Sequence, residues 1–201
     1  MPVEKIGPCT LEGRFVRLEP LRSNHLEGLA DAAAKIDWSL MLYPLLSKND
    51  VERRIRSCLD SEAEDEEYAF AVITKADRKI IGSTAYLSVV SRHKRVEIGS
   101  TWYLPELRGT FVNPECKFLL LQHAFEDWHA VRVQLGTDAR NIQSQRAIAK
   151  LGAKLEGKLR NYGIRPDGGP RDSMLYSIID GEWEDVKSRL LARIKNLEAN
   201  Q

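Results

Sequence analysis

Arg108, Gly109, Thr110 and Asn113 crowd into one short stretch just before a segment with helical periodicity. The first backbone N–H groups of a helix have no intrahelical partner, and the helix dipole adds positive charge there. Glycine lets a ligand approach the backbone closely, and arginine forks onto phosphate oxygens. The turn reads either as a phosphate cradle or as an ordinary helix entry, and on these residues alone both readings stand. No Gly-Lys-Ser/Thr follows, and no Gly-x-Gly-x-x-Gly occurs anywhere, so it is neither a Walker loop nor a dinucleotide loop.

Glu97 is a second candidate. It is a carboxylate inside "RVEIGSTWYL", a segment otherwise rich in Val, Ile, Gly, Ser, Thr and Trp. Partial burial there would lift its pKa towards neutrality and suit it to act as a general base, directly or through a water. The alternative is a strand-edge glutamate paired with Lys94 or Arg95 in solvent. Cys116 sits in the first turn of a helix, where a thiol can become acidic. No histidine partner stands near it in sequence, so core packing is the expectation. His25, His93, His123 and His129 include no i, i+4 pair, and no metal site is expected.

These residues need a scaffold, and the patterning supplies a mixed α/β one. "GRFVRLEP" alternates loosely as a first strand. "NHLEGLADAAAKI" has Leu26, Leu29 and Ala33 at helical spacing, with Ser23 or Asn24 able to cap it. "NDVERRIRSCL" forms a second helix with Val51, Ile55, Cys58 and Leu59 on one face. "YAFAVIT", "KIIGSTAYLSVV" and "RVEIGSTWYL" are separated by charged turns and read as an antiparallel meander. A helix follows from Pro114 to Trp128, striped by Phe118, Leu121 and Phe125. Then come a buried strand "VRVQLGT", a short helix "NIQSQRAIAKLG" ending on Gly152 at C′, and two strands flanking "RPDGGPR". A last helix carries Trp183, Val186, Leu190, Ile194 and Leu197. The order is β-α-α-β-β-β-α-β-α-β-β-α in a single domain, 1–201. The unit from Glu97 to Asp138 is where open sheets bind ligands. The acidic run from Ser61 to Glu67 reads as a solvated helix end or loop.

The chain of 201 residues is 43% hydrophobic and 29% charged, which suits a soluble globular protein with a substantial core. Lys plus Arg number 30 against 29 Asp plus Glu, so no global field draws it to nucleic acid or to a membrane. "MPVEKIGPCT" lacks the apolar core of a secretory leader, and no apolar run reaches the roughly 20 residues of a membrane span. Cys9, Cys58 and Cys116 are odd in number and widely spaced, which fits a reducing cytoplasm.

"YLPELRGTFVN" resembles the arginine/glutamine-x-x-glycine-x-glycine/alanine loop of the GNAT acetyltransferase superfamily. "VRVQLGTDARNIQSQRAIAKLGAKLEGKLRNY", "RDSMLYSIIDGEWEDVKSRL", "LEGRFVRLEPLRSNHLEGL" and "RVEIGSTWY" resemble its RimJ/RimL-like branch, named for enzymes that acetylate ribosomal proteins. The resemblance covers nearly the whole chain. It implies a mixed, splayed β-sheet with helices on both faces and acetyl-CoA as cosubstrate. It further implies that Arg108, Gly109, Thr110, Phe111, Val112 and Asn113 hold the pyrophosphate. Trp102, Tyr103 and Leu104 would hold the pantetheine arm and acetyl carbonyl by their backbone, and Asn141 would bond the pantetheine. Phe111 and Asn113 depart from the small residues of the family loop, and phenylalanine does not take positive φ as cheaply as glycine. Many relatives carry an acid tyrosine where this chain has Ile148. Ser144 then becomes the candidate proton donor to the leaving thiolate, with a capping or solvent serine as its alternative. Trp38 and Tyr43, in "DWSLMLYPLL", would shape the acceptor pocket, and "YGIRPDGGPRD" would help set specificity. The implied reaction acetylates a primary amine, either a protein N-terminus or a small molecule. A non-catalytic CoA-binding or regulatory module of the same fold is the alternative. No metal, membrane or direct nucleic-acid partner is expected, and the chain would be a monomer or homodimer.

Overall fold

The structure is a computed structural model and describes residues 6–198. The opening residues 1–5, part of the stretch read as lacking a leader, lie outside that range. The elements run β1 (Leu11–Glu12), β2 (Val16–Pro20), α1 (Leu26–Ala33), α2 (Lys48–Ala63), β3 (Tyr68–Thr74), β4 (Ile80–Val90), β5 (Arg95–Tyr103) and α3 (Val112–Gln122). They continue with β6 (Arg132–Asp138), α4 (Ile142–Ala149), β7 (Lys154–Ile164), β8 (Pro170–Ile179) and α5 (Trp183–Glu198). The expected order holds, with the two-residue β1 added in front.

Eight strands form one sheet in the order β1-β2-β3-β4-β5-β6-β8-β7. β3, β4 and β5 make the expected meander, because charged turns separate three apolar runs. β5 and β6 run parallel and are joined by α3, the crossover that such a pair requires. They pair only from Arg95↔Arg132 to Glu97↔Gln134. Beyond that point β5 follows β4 while β6 follows β8, and the two strands part.

Several local expectations are corrected. Ser23 and Asn24 do not cap α1; they form a 3-10 turn with His25, whose Nδ1 accepts the Arg22 N–H at 3.1 Å. Gly152 does have positive φ (+100°), but it lies two residues beyond the C-cap Lys150 rather than at C′. The helix expected from Pro114 to Trp128 begins at Val112 and passes into a π-helical turn at His123–Asp127. Its buried surface is far broader than one stripe: Cys116, Leu119, Leu120 and Leu121 are all interior. The acidic run is not wholly solvated either. Glu67 is buried and ion-paired with Arg54. Trp183 packs α5 onto the π-helical turn, stacking on Phe125 at 5.4 Å.

Candidate active site

Glu97 occupies the last paired position before β5 and β6 part. Its Oε2 accepts a hydrogen bond from Gln134 Nε2 at 2.8 Å, not from Lys94 or Arg95. Burial raises its pKa above the ordinary carboxylate range, while the Gln134 bond and the charge of Arg171 pull it back part of the way. Gly136, two residues along β6, leaves the carboxylate room: a Cβ there would meet Glu97 Oε1 at 3.2 Å.

From this position a cavity of about 920 Å³ opens between the parting strands. It reaches Arg108, Gly109, Thr110 and Asn113 at one end, and Trp38 and Tyr43 in the α1–α2 connection at another. Asn141 and Ser144 line it from α4. The structure thus brings together most of the residues singled out from the sequence. Leu104, Phe111 and Val112 do not line it. Phe111 has a φ of −69°, ordinary helical backbone, and its ring packs on Phe15 with centroids 4.1 Å apart. The absence of glycine at this position therefore introduces no backbone strain. Val112 is buried, so of these two only the main chain can contribute to the loop.

The loop has the donors an anion would need. Thr110 bonds back to Leu107 O through its N–H (3.4 Å) and its hydroxyl (2.8 Å), and its Oγ1 accepts the Val112 N–H at 3.3 Å. Gly109, with φ of +80°, turns the chain where other residues would be strained. The N–H groups of Gly109, Phe111 and Asn113 have no acceptor among the described residues. Arg108 is exposed beside them. Such an end of a helix favours an anion.

β5 turns one edge to β4 as far as Tyr103, and Leu104 N–H donates to Ile81 O at 2.9 Å. Its other edge, from Ile98 onward, has no strand beside it. Trp102 and Leu104 are buried, and the Leu104 C=O accepts the Leu107 N–H at 3.0 Å. Trp38 is 6% exposed, stacked edge-on against Trp102 at 5.3 Å and bonded through Nε1 to Ala33 O, so it is a fixed wall. Tyr43 is 74% exposed at the rim.

Asn141 caps α4, its Oδ1 accepting the Ser144 N–H at 2.9 Å. The Asn141 amide nitrogen and the Ser144 hydroxyl make no hydrogen bond among the described residues, and both residues line the cavity. Ile148 is buried. Cys116 is fully buried and its thiol is pushed up to about 12, mainly by desolvation, so it is packing as expected. Among the described residues no cluster of His, Cys, Asp or Glu stands where it could hold a metal ion, and no helix is long and apolar enough to cross a membrane.

Sequence reasoning missed several polar residues of this region. Gln134 lies in a strand read only as buried. Lys117, which lines the cavity and donates to Thr101 Oγ1 at 2.7 Å, was hidden in an apolar helix. Glu115 is buried, and its carboxylate accepts the N–H groups of Arg14 (2.6 Å) and Val16 (2.9 Å), tying α3 to the N-terminal strand. None of these has a motif; only strand register or helix phase could have singled them out.

Comparison with known proteins agrees with this geometry. Residues 16–154 match the acetyltransferase (GNAT) domain model. The chain is 24% identical over 132 residues to "Probable N-acetyltransferase YjcK" of Bacillus subtilis strain 168, covering 66% of this chain and 72% of that one. It is 27% identical over 111 residues to "Putative ribosomal N-acetyltransferase YdaF" of the same organism, covering 55% and 60%. Among solved structures, a GCN5-related N-acetyltransferase from Brucella melitensis superposes with a TM-score of 0.85 at 28% identity, over 94% of this chain and 86% of that one. Mycobacterium smegmatis RimJ, solved in complex with CoA-disulfide, shares the fold with a TM-score of 0.77 at 19% identity, over 92% and 95% of the two chains. The chain belongs to the GNAT acetyltransferase family.

Proposed function

We propose that the protein transfers an acetyl group from acetyl-CoA to a primary amine, by direct attack within a ternary complex. One observation carries this reading. A half-buried carboxylate of raised pKa and an anion cradle stand at two ends of a single cleft between parting strands.

The residues fit the cosubstrate. The open N–H groups of Gly109, Phe111 and Asn113, with Arg108, would hold the pyrophosphate. The unpaired edge of β5 around Trp102 and Tyr103 would hold the pantetheine arm by main-chain bonds, and the Asn141 amide would add one more; the Leu104 main chain is already bonded to Ile81 and Leu107. Phe111 keeps an ordinary φ, so its departure from the family loop gives no support to a non-catalytic module. Acetyl-CoA supplies the acetyl group as a thioester.

This chain's own residues manage the protons. Glu97 Oε1 takes the proton that the attacking amine must lose, directly or through a water, while Gln134 holds Oε2 and fixes the carboxylate. Ser144 Oγ, at the positive end of α4, donates to the leaving sulfur. Trp38 and Tyr43 border the acceptor side. The acceptor is a protein N-terminus or a small amine. All three cysteines are unpaired, which accords with action in a reducing cytoplasm. The test is release of free CoA thiol in the presence of a panel of primary amines. Amine-dependent release by wild type, lost in Glu97→Gln, supports the reading, and amine-independent release in both contradicts it.

A further inference from the structure

The cleft wall opposite Glu97 contains hydrogen-bonding groups that the protein leaves unanswered. The register Gln134↔Ser177, Gly136↔Leu175 and Asp138↔Ser173 places Ser173 on the same sheet face as Gln134, whose side chain bonds Glu97. Arg171, two residues before Ser173 on β8, projects to that face too. Both residues line the cavity with Glu97.

Arg171 has only 12% of its side chain exposed and donates no hydrogen bond among the described residues. Its nearest carboxylate, Asp138, already has its partners. Asp138 accepts Arg165 Nε at 3.0 Å, Arg165 Nη2 at 3.3 Å and the Arg140 N–H at 2.7 Å. Arg171 Nε stays 3.6 Å from Asp138 Oδ2, too far for a hydrogen bond. Three guanidinium groups, of Arg140, Arg165 and Arg171, thus surround one carboxylate. Arg171 Nε is shut from solvent without a hydrogen-bond partner, and so is Ser173 Oγ, whose residue is 4% exposed. Burial, together with the charge of Arg165, pulls the Arg171 pKa down, and the opposing charges of Asp138 and Glu97 only partly restore it.

Buried donors without acceptors are rare in folded proteins, and beside a substrate cleft the missing acceptor is expected on the ligand. A carboxylate matches a guanidinium fork with a hydroxyl beside it, in both charge and shape. We propose that Arg171 and Ser173 form a carboxylate subsite, so that the acceptor is a primary amine bearing a carboxylate close to its amino group. A free α-amino acid or a polypeptide with an acidic first residue supplies that chemistry. The proposal rests on the acetyl-transfer reading, with Glu97 meeting the amine while Arg171 holds the carboxylate.

The test measures kcat/KM on matched acceptors: L-methionine against L-methioninamide, and peptides that begin with Asp against the same peptides beginning with Asn. Wild type should favour one carboxylate-bearing member by at least about tenfold, and the pair that shows it identifies the source of the carboxylate. Arg171→Met should bring that ratio close to one, Arg171→Lys should keep part of it, and Ser173→Ala should reduce it less. Calorimetric titration of each variant with acetyl-CoA, with unchanged affinity expected, separates loss of acceptor recognition from loss of fold or cofactor. A wild type indifferent to the carboxylate, or an Arg171→Met variant that keeps the ratio, overturns the proposal. A wild type that binds no acetyl-CoA overturns the acetyl-transfer reading and this one with it.

Discussion

Glu97 and Gln134 are hydrogen-bonded across the last paired rung of β5 and β6, 2.8 Å apart, at the point where the two strands diverge. The bond restrains a carboxylate that burial would otherwise leave unsupported, and it aims the other oxygen past Gly136 into the cleft. Strand parting and base positioning are therefore one structural feature.

Glu97→Gln should lower kcat by roughly 10²–10⁴ while leaving acetyl-CoA affinity close to wild type, as expected for loss of a general base. Because the folded-state pKa of Glu97 is raised, the wild-type rate should climb with pH through a value above the ordinary carboxylate 4.5. The stability sign runs the other way. A raised carboxyl pKa means that the folded state holds its proton longer, so stability from this group is present at acid pH and lost as pH rises through the folded pKa. Glu97→Gln should therefore melt at or above the wild-type temperature at neutral pH. A pH–rate profile and thermal melts check both.

Lys117 is 5% exposed and meets no carboxylate among the described residues. Burial lowers its pKa from 10.5 to about 8. The unfolded chain then binds this proton more tightly than the folded one, so stability should rise as pH increases from about 8 towards 10.5. Urea unfolding should show wild type gaining about 1 kcal/mol between neutral pH and pH 9 relative to Lys117→Met. Equal pH dependence in the two proteins would contradict the assignment.

Glu115 holds the first turn of α3 against the N-terminal strand through backbone N–H groups. Glu115→Ala should destabilise by about 2–4 kcal/mol, because the buried Val16 N–H and the part-buried Arg14 and Phe15 N–H groups lose a charged acceptor at once. The cradle opens the same helix and leans on the same strand through Phe111 and Phe15, so acetyl-CoA affinity should fall too. Denaturant titration and calorimetry measure the two effects.

Gly109→Ala forces a side chain into positive φ, a strain of about 1–2 kcal/mol, although nothing stands within 4 Å of the new Cβ. Crowding is therefore excluded as the cause of any loss. The variant should fold, and should bind acetyl-CoA more weakly as the cradle shifts; calorimetry reads the change.

The sheet was legible in the sequence because "YAFAVIT", "KIIGSTAYLSVV" and "RVEIGSTWYL" are apolar runs cut by charged turns, a pattern set by local chemistry. The turn before α3 was legible for a similar reason, since Arg108, Gly109 and Thr110 are adjacent in the chain. α3 was read too narrowly because it is buried on most sides, so its periodicity carries little phase information. Glu67, Glu115, Lys117 and Arg171 were invisible as interior groups. Charged residues are exposed by default, and what overrides that default here is a set of contacts between segments distant in the chain. Arg171 did fall inside "YGIRPDGGPRD", read from sequence as a specificity element, but only the strand register shows which of its side chains face the cleft.

The central claim is that the turn from Arg108 to Asn113 and the cap at Asn141 hold acetyl-CoA. Its most direct test is calorimetric titration of the purified protein with acetyl-CoA, beside an Arg108→Ala, Asn141→Ala double variant. The account predicts saturable one-to-one binding by wild type, weakened at least about tenfold in a double variant that still melts cooperatively. No binding by wild type, or equal binding by both proteins, would contradict it.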